Sequence, residues 1–351
     1  MDDARFSRQL ALPGFGLEAQ QRLADARVLV IGAGGLGSAV IPALAAAGVG
    51  TIGIVDDDTV EASNLHRQLI HGVADIGASK VTSAVASIAA ISPTTMIEPV
   101  TERLRSNDAE SLFARYDLVL DGSDNFPTRY LANDAAALVG IPLVWGAVSQ
   151  YAGQAGVAWA ARGPQYRDLF PAPPPPGTVL SCEDGGVLPT VVGVIGAIMA
   201  GEAIKIVTGL GETLIGRVTT FDALSGSFRE LRYERDPTAD PITELVDYEL
   251  FCGLPSRRDT LTAVELSEIL DGVTLVDVRE PWEARLASIP GSSLVAVDDV
   301  EPADDLVLYC HHGVRSAVAL TKLAARGIHA RHLDGGIDAW SRLVDPTVAR
   351  Y

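Results

Sequence analysis

A glycine-rich turn near the start of the chain has the residue types needed to hold a phosphate. The turn, Gly32–Gly37, follows the apolar run VLVI and leads into a helix-like segment, and Asp56 ends the next apolar run. Glycines let a phosphate approach the backbone, the helix start offers unpaired N–H groups, and the carboxylate can accept from ribose hydroxyls. Taken alone, this pattern predicts a dinucleotide such as NAD.

The residues after Asp56 favour a nucleoside triphosphate instead. Asn64, Arg67 and Lys80 could hold phosphate oxygens, and Asp124 follows a later apolar run, where it could ligate Mg²⁺. A triphosphate needs such cations, and its metal needs a carboxylate, whereas a dinucleotide needs neither. The combination predicts an ATP·Mg²⁺ site at the ends of the strands.

A second segment has the features of a reactive cysteine site. Cys310 follows the apolar run LVLY, and its loop runs through Arg315 into a helix-like segment. Backbone N–H groups and an arginine at a helix start favour the reactive thiolate. Phosphatases also use a cysteine-to-arginine loop, but theirs has five intervening residues and this one has four, which suits a single sulfur atom. His311 and His312 are expected to be solvated loop residues and not metal ligands.

Alternating apolar runs and helical patterns must position these residues. The alternation predicts an α/β fold: a Rossmann-like nucleotide-binding domain with a mainly parallel, doubly wound sheet, followed by a smaller α/β domain. We expect the first domain at 1–248, a linker at 249–259 and the second domain at 260–351. The proline-rich stretch PAPPPPGTVLSC is predicted to be a loop.

Composition narrows the function further. The 351 residues include 45 acidic and 27 basic side chains, and the net charge of −18 argues against binding to nucleic acid or to anionic membranes. Three cysteines, Cys182, Cys252 and Cys310, exclude a disulfide framework and favour a reducing, cytoplasmic location. The uncharged stretch 28–55 holds glycines and a proline, so we expect buried strands and a helix there and no membrane span.

The motifs together resemble the MoeB/ThiF branch of the ubiquitin-activating-like (E1-like) enzymes, and most of all its MoeZ-type adenylyltransferase/sulfurtransferases with a C-terminal rhodanese domain. The resemblance covers nearly the whole chain. It rests on GAGGLGS, VDDDTVEASNLHRQ, Lys80, DGSDN and PPPPGTVLSCEDGGVL, and in the second domain on VDVRE, IPG, the Cys310 loop and LDGGIDAW.

The resemblance implies two linked reactions. The family adenylates the C-terminal glycine of a ubiquitin-like sulfur-carrier protein ending in Gly-Gly, with ATP and Mg²⁺, and sulfur from a Cys310 persulfide would then form a thiocarboxylate. Such carriers serve molybdenum cofactor, thiamin, cysteine or tRNA sulfur pathways. Thiosulfate or a cysteine desulfurase would donate the sulfur.

The family's site residues can be carried onto this sequence. Its nucleotide site would comprise Gly32, Gly34, Gly35, Gly37, Asp56, Asp58, Ser63, Asn64, Arg67, Gln68, Lys80, Asp124 and Asn125. Arg67 and Lys80 would hold phosphates, and Asp124 would bind Mg²⁺. Arg8 would reach into the neighbouring subunit's ATP site, which implies a homodimer. Cys182 would relay the acyl group, while Cys310 and Arg315 would carry out the sulfur chemistry.

One departure concerns zinc. Most relatives bind structural zinc through two CxxC pairs, but here the matching segments read Gln165–Asp168 and Thr238–Thr243. Three scattered cysteines cannot supply four thiolates. We therefore expect no zinc site and a fold held there by packing alone. Two other functions stay open from sequence: an NAD-dependent oxidoreductase with an appended rhodanese domain, and a non-catalytic scaffold.

Overall fold

The structure, a computed structural model, describes residues 3–175, 178–179, 185–253 and 259–351. The chain divides into two units, one made of Met1–Ala172 and Leu180–Tyr248, the other of Pro173–Val179 and Glu249–Tyr351. Each unit has its own sheet.

Eight strands form the sheet of the first unit: β1 (Arg27–Ile31), β2 (Thr51–Val55), β3 (Met96–Val100), β4 (Leu118–Asp121), β5 (Leu143–Ser149), β6 (Ala152–Ala158), β7 (Arg217–Asp222) and β8 (Ser227–Arg232). Their order is β3-β2-β1-β4-β5-β6-β7-β8. Strands β1 to β5 pair in parallel, and β6, β7 and β8 continue the sheet antiparallel. The predicted mainly parallel α/β architecture is confirmed.

Helices cover both faces of this sheet, as parallel strands require. Those of the first unit are α1 (Asp3–Leu10), α2 (Gly16–Asp25), α3 (Gly35–Ala47), α4 (Lys80–Ile91), α5 (Ser106–Phe113), α6 (Phe126–Val139), α7 (Tyr166–Leu169) and α8 (Pro189–Thr208). Within the described residues, α8 alone is long and apolar enough to cross a membrane. Its Val191, Ile195 and Met199 are fully buried in the same cluster as Leu44 of α3, so α8 is a core helix.

Two strands of this sheet, β3 and β6, were not predicted from the sequence. Pro99 interrupts β3, which is tolerated because β3 lies at the sheet edge. Strand β6 has the sequence AGQAGVA, which is not typical of a strand. Its glycines are required because neighbouring side chains leave no room for a Cβ. A Cβ on Gly153 would lie 2.5 Å from Ile195, and one on Gly156 would lie 2.8 Å from Trp145. The residues of β6 are therefore chosen by the close packing of core side chains against its backbone, and not by strand propensity.

The second unit is a five-stranded parallel sheet. Its strands are β9 (Thr260–Leu261), β10 (Thr274–Asp277), β11 (Ser293–Leu294), β12 (Leu306–Tyr309) and β13 (Arg331–Leu333), in the order β11-β10-β12-β13-β9. The helices of this unit are α10 (Ala263–Ile269), α11 (Pro281–Leu286), α12 (Val314–Ala325) and α13 (Gly336–Leu343), and the short helix α9 (Tyr248–Phe251) spans the boundary between the two units. The central strand β12 is buried on both faces, with Val307 in one apolar cluster and Leu308 in another.

Candidate active sites

The glycine turn connects β1 to α3 with backbone geometry that only glycine satisfies. Gly32 has a φ of +90°, and a Cβ on Gly37 would lie 2.0 Å from the Gly32 carbonyl oxygen. Helix α3 begins at Gly35 without a side-chain cap on its first turn. Its first N–H groups therefore have no partner within the helix and can bind an anion.

Asp56 lies at the end of β2 and holds the glycine turn. Its Oδ2 accepts from Ala33 N at 2.7 Å and its Oδ1 from Asp58 N at 2.9 Å. Burial raises the pKa of the Asp56 carboxyl, while the nearby Lys80 opposes the rise. Carboxylate oxygens of Asp56, Asp57 and Asp58 lie within 4.8 Å of one another. Asp56 thus lies next to the glycine turn and also holds its backbone in place through hydrogen bonds.

Lys80 is the cation of this cluster. It starts α4, its side chain is 9% exposed, and its Nζ lies 2.8 Å from Asp58 Oδ2. Burial lowers the pKa of the Lys80 ammonium, but Asp56 and Asp58 outweigh that effect and the pKa ends above its usual value. Lys80 therefore stays charged although it is buried.

Residues 63–68, in the loop between β2 and α4, include four of the expected nucleotide residues. Asn64 is buried, and its Oδ1 accepts from Glu61 N at 3.2 Å, so its side chain caps the short 3-10 turn there. Arg67 Nη1 donates to the Ser63 carbonyl at 3.1 Å. Gln68 is buried with its Oε1 unpartnered. Arg67 and Gln68 retain donors or acceptors for a ligand, whereas Asn64 has a structural partner.

The segment after β4 places Asp124 and Asn125. Asp124 is exposed and close enough to Lys80 to raise its pKa further. Asn125 is the N-cap of α6, where its Oδ1 accepts from Thr128 N at 2.9 Å. Asp124 is thus available to a metal ion, and the role of Asn125 visible in the structure is structural.

Sequence reasoning missed Arg129. It is buried in α6, its Nη2 donates to the Ser123 carbonyl at 2.9 Å, and its Nε lies 3.8 Å from Asp121 Oδ2. Arg129 Nε, Asp121 Oδ2, Ser123 Oγ and Gln68 Oε1 are buried without a hydrogen-bond partner. Buried polar atoms are rarely left unpaired, so this group has spare capacity for a polar ligand. The sequence does not indicate a ligand-binding role for Arg129, because arginines inside predicted helices are common on protein surfaces.

Two expected residues lie elsewhere. Arg8 is exposed on α1, whose Gln9 is fixed to Gln20 Oε1 at 2.8 Å and to the Ala47 carbonyl at 2.9 Å. Cys182 lies outside the described residues, and so does most of the stretch around it.

The sulfur site is formed where β12 meets α12. Cys310 is 1% exposed, and Ser316 Oγ lies 3.6 Å from its Sγ. The loop rests on the Gly335–Gly336 turn: Ile337 N donates to the Cys310 carbonyl at 2.9 Å and Asp338 N to the His311 carbonyl at 3.1 Å. A Cβ on Gly336 would lie 2.3 Å from both carbonyl oxygens. The glycine pair of LDGGIDAW therefore shapes the cysteine loop.

Arg315 is paired with a carboxylate that sequence reasoning missed. Its Nη1 and Nη2 donate to Glu283 at 2.7 and 2.6 Å. Burial alone would raise the pKa of Glu283, but the hydrogen bonds from Arg315 hold it at about 2. The Tyr351 hydroxyl donates to Glu283 at 3.2 Å and accepts from Arg279 at 2.5 Å. Glu283 balances the charge of Arg315. In the sequence, the only signal for this ion pair is that Glu283 closely follows the motif VDVRE.

The two histidines of the loop stack with a tyrosine. The His311 ring is 4.0 Å from the His312 ring and 4.3 Å from the Tyr351 ring. Burial lowers the pKa of His311, and the neighbouring His312 lowers it further. His311 is thus half-buried and not a solvated side chain, which corrects the expectation.

A polar cluster lies around Gln165–Asp168, the first of the two segments compared with cysteine pairs in the sequence analysis. Asp134 is buried and accepts from Arg167 Nε at 2.8 Å and from Tyr248 Oη at 2.6 Å. Asp168 accepts from Gln165 N at 2.7 Å and from Asp236 N at 2.9 Å, and Asp236 in turn accepts from Thr238 N at 2.8 Å, at the start of the second segment. The expectation of packing alone is wrong, because an ion pair ties the first segment to α6 and hydrogen bonds through Asp236 connect it to the second.

The fold and the comparisons that follow define an adenylating enzyme with a sulfurtransferase module in the same chain. The chain belongs to the ThiF family, whose model matches residues 6–241, and a rhodanese-like domain matches residues 262–343. A probable adenylyltransferase/sulfurtransferase MoeZ of Mycobacterium tuberculosis is 48% identical over 99% of this chain and 95% of the relative. A sulfur carrier protein adenylyltransferase of Thermus thermophilus is 48% identical over 71% of this chain and 96% of the relative.

A further relative combines the same two activities in its name. Adenylyltransferase and sulfurtransferase MOCS3 of Drosophila ananassae is 40% identical over 100% of this chain and 86% of the relative. The chain is accordingly an enzyme with adenylyltransferase and sulfurtransferase activities, and the NAD-dependent alternative is not supported. Among solved structures, E. coli MccB with ATP has a TM-score of 0.58 at 20% identity, over 67% of this chain and 73% of that one. At this identity the likeness concerns the fold alone.

Proposed function

We propose that this enzyme uses ATP·Mg²⁺ to adenylate the C-terminal glycine of a ubiquitin-like sulfur-carrier protein, and that Cys310 then delivers sulfur as a persulfide. We assign adenylation to residues 1–248 and sulfur transfer to 260–351, joined by 249–259, in a cytoplasmic protein. The observation that carries the proposal is the buried, charged Lys80 beside a glycine turn whose surroundings hold unpartnered polar atoms.

The first step joins two anions, so charge neutralisation decides its rate. A carrier carboxylate oxygen attacks the α-phosphorus of ATP, a P–O bond to pyrophosphate breaks, and an acyl-adenylate forms. No general base is needed, because the carboxylate is already ionised at neutral pH. Lys80, Arg67 and Arg129 supply positive charge, and the first N–H groups of α3 can donate to phosphate oxygens.

A magnesium ion fits the acidic edge of this site. Asp124 is exposed and offers the oxygen ligands that Mg²⁺ prefers. When bound, the ion would offset phosphate charge. The expected ligand roles of Ser63 and Asn125 are weaker, because Asn125 caps α6 and the Ser63 carbonyl accepts from Arg67.

The second step needs a nucleophilic sulfur. The outer sulfur of the Cys310 persulfide attacks the acyl carbon, and AMP leaves, or Cys182 leaves if it holds the acyl group. An external thiol then attacks Cys310 Sγ, the S–S bond of the acyl disulfide breaks, the thiocarboxylate leaves, and Cys310 remains in a mixed disulfide with that thiol. A second external thiol reduces this disulfide and frees the Cys310 thiolate. Ser316, 3.6 Å from Cys310 Sγ, is placed to donate to the sulfur anion. The outer sulfur of thiosulfate, with release of sulfite, or of a cysteine desulfurase persulfide, with release of its thiol, would reload Cys310.

A homodimer would complete the ATP site through Arg8 of a second copy. Support comes from apolar surface on the loop that carries Arg67: Leu69 is 78% and Val73 is 77% exposed. Large apolar side chains this exposed are typical of interfaces.

Carrier-dependent exchange of pyrophosphate into ATP tests the proposal. Asp124→Ala should lower the exchange rate on the order of a hundredfold, because the Mg²⁺ that offsets phosphate charge loses its carboxylate ligand. The matched control is Asp240→Ala, an exposed aspartate in the 236–241 segment, which should exchange like the wild type. Exchange by a folded Asp124→Ala protein at the control rate would overturn the assignment of Asp124.

A further inference from the structure

A buried histidine that the adenylation chemistry does not use contacts the glycine turn. His71 is 6% exposed. Its Nε2 lies 2.9 Å from the Ala33 carbonyl oxygen, and its Nδ1 lies 2.8 Å from Ser83 Oγ. Because a carbonyl oxygen can only accept, Nε2 must carry the hydrogen, and Nδ1 then accepts from the Ser83 hydroxyl. The contacts thus select one neutral tautomer.

Ala33 is the residue through which the turn is fixed. Its N–H donates to Asp56 Oδ2 at 2.7 Å, and its carbonyl accepts from His71. Both backbone polar groups of Ala33 are therefore held by side chains from other segments. The flanking Gly32 and Gly34 have no side chains with which to hold the turn in one shape.

The same histidine connects the turn to the segments that bring the cations. His71 follows Arg67 by four residues, and Ser83 belongs to α4, which begins at Lys80. Ser87 of α4 donates to the Ile70 carbonyl at 2.6 Å, so the loop is tied to α4 at two neighbouring points. His71 is thus where the glycine turn, the Arg67 loop and the Lys80 helix meet.

We infer that His71 is a positioning residue for adenylyl transfer: its Nε2–H form holds the Arg67 loop and the Lys80 helix against the glycine turn. The inference rests on the proposed adenylation at this site. A displacement of about 1 Å between reacting groups can cost a hundredfold in rate. The loss of one side chain whose two hydrogen bonds join three segments is therefore enough to slow the reaction.

Burial favours a neutral His71 ring, although the charges around it are mixed. Burial is the largest influence and lowers the pKa of His71, Lys80 from α4 lowers it as well, and Asp56 at the end of β2 and Asp75 in a short 3-10 turn oppose the shift without cancelling it. Protonation would place a second cation beside Lys80 and would turn Nδ1 into a donor, so that it could no longer accept from Ser83.

Two substitutions separate the hydrogen bond from simple packing. In His71→Gln, the side-chain amide can still donate to the Ala33 carbonyl, whereas His71→Leu has similar bulk and no donor. The matched control is His66→Leu, an exposed histidine of the same loop. Each variant is assayed for carrier-dependent pyrophosphate exchange over ATP concentration and pH, after its melting temperature has been measured.

We expect His71→Leu to lose about tenfold to a hundredfold in kcat/KM for ATP, His71→Gln to keep most of the activity, and His66→Leu to match the wild type. Exchange in the wild type should also fall as pH drops through the lowered pKa of His71, a component that His71→Gln lacks. The inference would be overturned by equal rates for His71→Leu and His66→Leu, or by equal losses in His71→Leu and His71→Gln.

The proposed function is tested separately, because absence of exchange in the wild type would refute it. If His71→Leu fails to fold, the Gln variant and its pH profile decide.

Discussion

Arg167→Met tests how the fold is held near the two segments where the resemblance led us to look for zinc ligands. The side chain of Asp134 is 2% exposed, and its oxygens accept from Arg167 Nε at 2.8 Å and Nη2 at 2.5 Å, from Tyr248 at 2.6 Å and from Asn133 at 2.9 Å. The substitution leaves a buried carboxylate with two neutral donors. Breaking a buried ion pair from one side costs about 3 kcal/mol or more, so we expect a loss of about 3 kcal/mol in the free energy of unfolding.

The control is a substitution of the same type at the surface. Arg232 is 80% exposed and 3.3 Å from Glu230, so Arg232→Met should cost at most about 0.5 kcal/mol. The double variant Arg167→Met/Asp134→Asn should recover part of the loss, because the unpaired charge is gone.

Urea titration followed by amide hydrogen exchange in α6 measures these differences locally, which matters because two units need not unfold together. If Arg167→Met were no less stable than Arg232→Met, the polar cluster would not be what secures these segments.

The remaining predictions concern the sulfur site and the metal content. Cys310→Ser should retain carrier-dependent pyrophosphate exchange but lose thiosulfate:cyanide sulfurtransfer and thiocarboxylate formation, because a hydroxyl cannot hold a transferable sulfur; normal thiocarboxylate yield from the variant would contradict the sulfur pathway. Glu283→Gln should destabilise the second unit at neutral pH. Since the pKa of Glu283 is lowered from 4.5 to about 2, the contribution of its carboxylate is present above pH 4.5 and lost as the pH falls towards 2. Unfolding curves of wild type and variant should therefore converge in that range, and a constant gap would count against the ion pair. Elemental analysis of the purified protein should find no stoichiometric zinc, and one zinc per chain would disprove that expectation.

The sequence alone was enough to predict those parts of the protein whose structure depends on residues close together in the chain. The turn Gly32–Gly37, with its strand and helix, is readable because glycine geometry and strand hydrophobicity act over a few positions. The same holds for the start of α12 after Cys310. Asp56 at the end of β2 follows from the same pattern.

The features that were missed depend on contacts between distant positions. His71 and Ala33 are 38 positions apart, and Glu283 and Arg315 are 32 apart. Strand β6 was missed because its glycines read as a loop, although the close packing of Trp145 and Ile195 requires them. Such residues have the right chemistry in the sequence, but only the folded chain gives them a partner.

The dependence of the Cys310 loop on the Gly335–Gly336 turn has a consequence for biosynthesis. Translation adds Cys310 before the glycine pair that supports its loop, and before α13, whose N–H groups bind the Cys310 and His311 carbonyls. Until those later residues have emerged and docked, Cys310 is an ordinary cysteine of a nascent chain. The shape of the Cys310 loop therefore depends on residues that are made after it, so a nascent chain that stops before Gly335 lacks the contacts that form this loop.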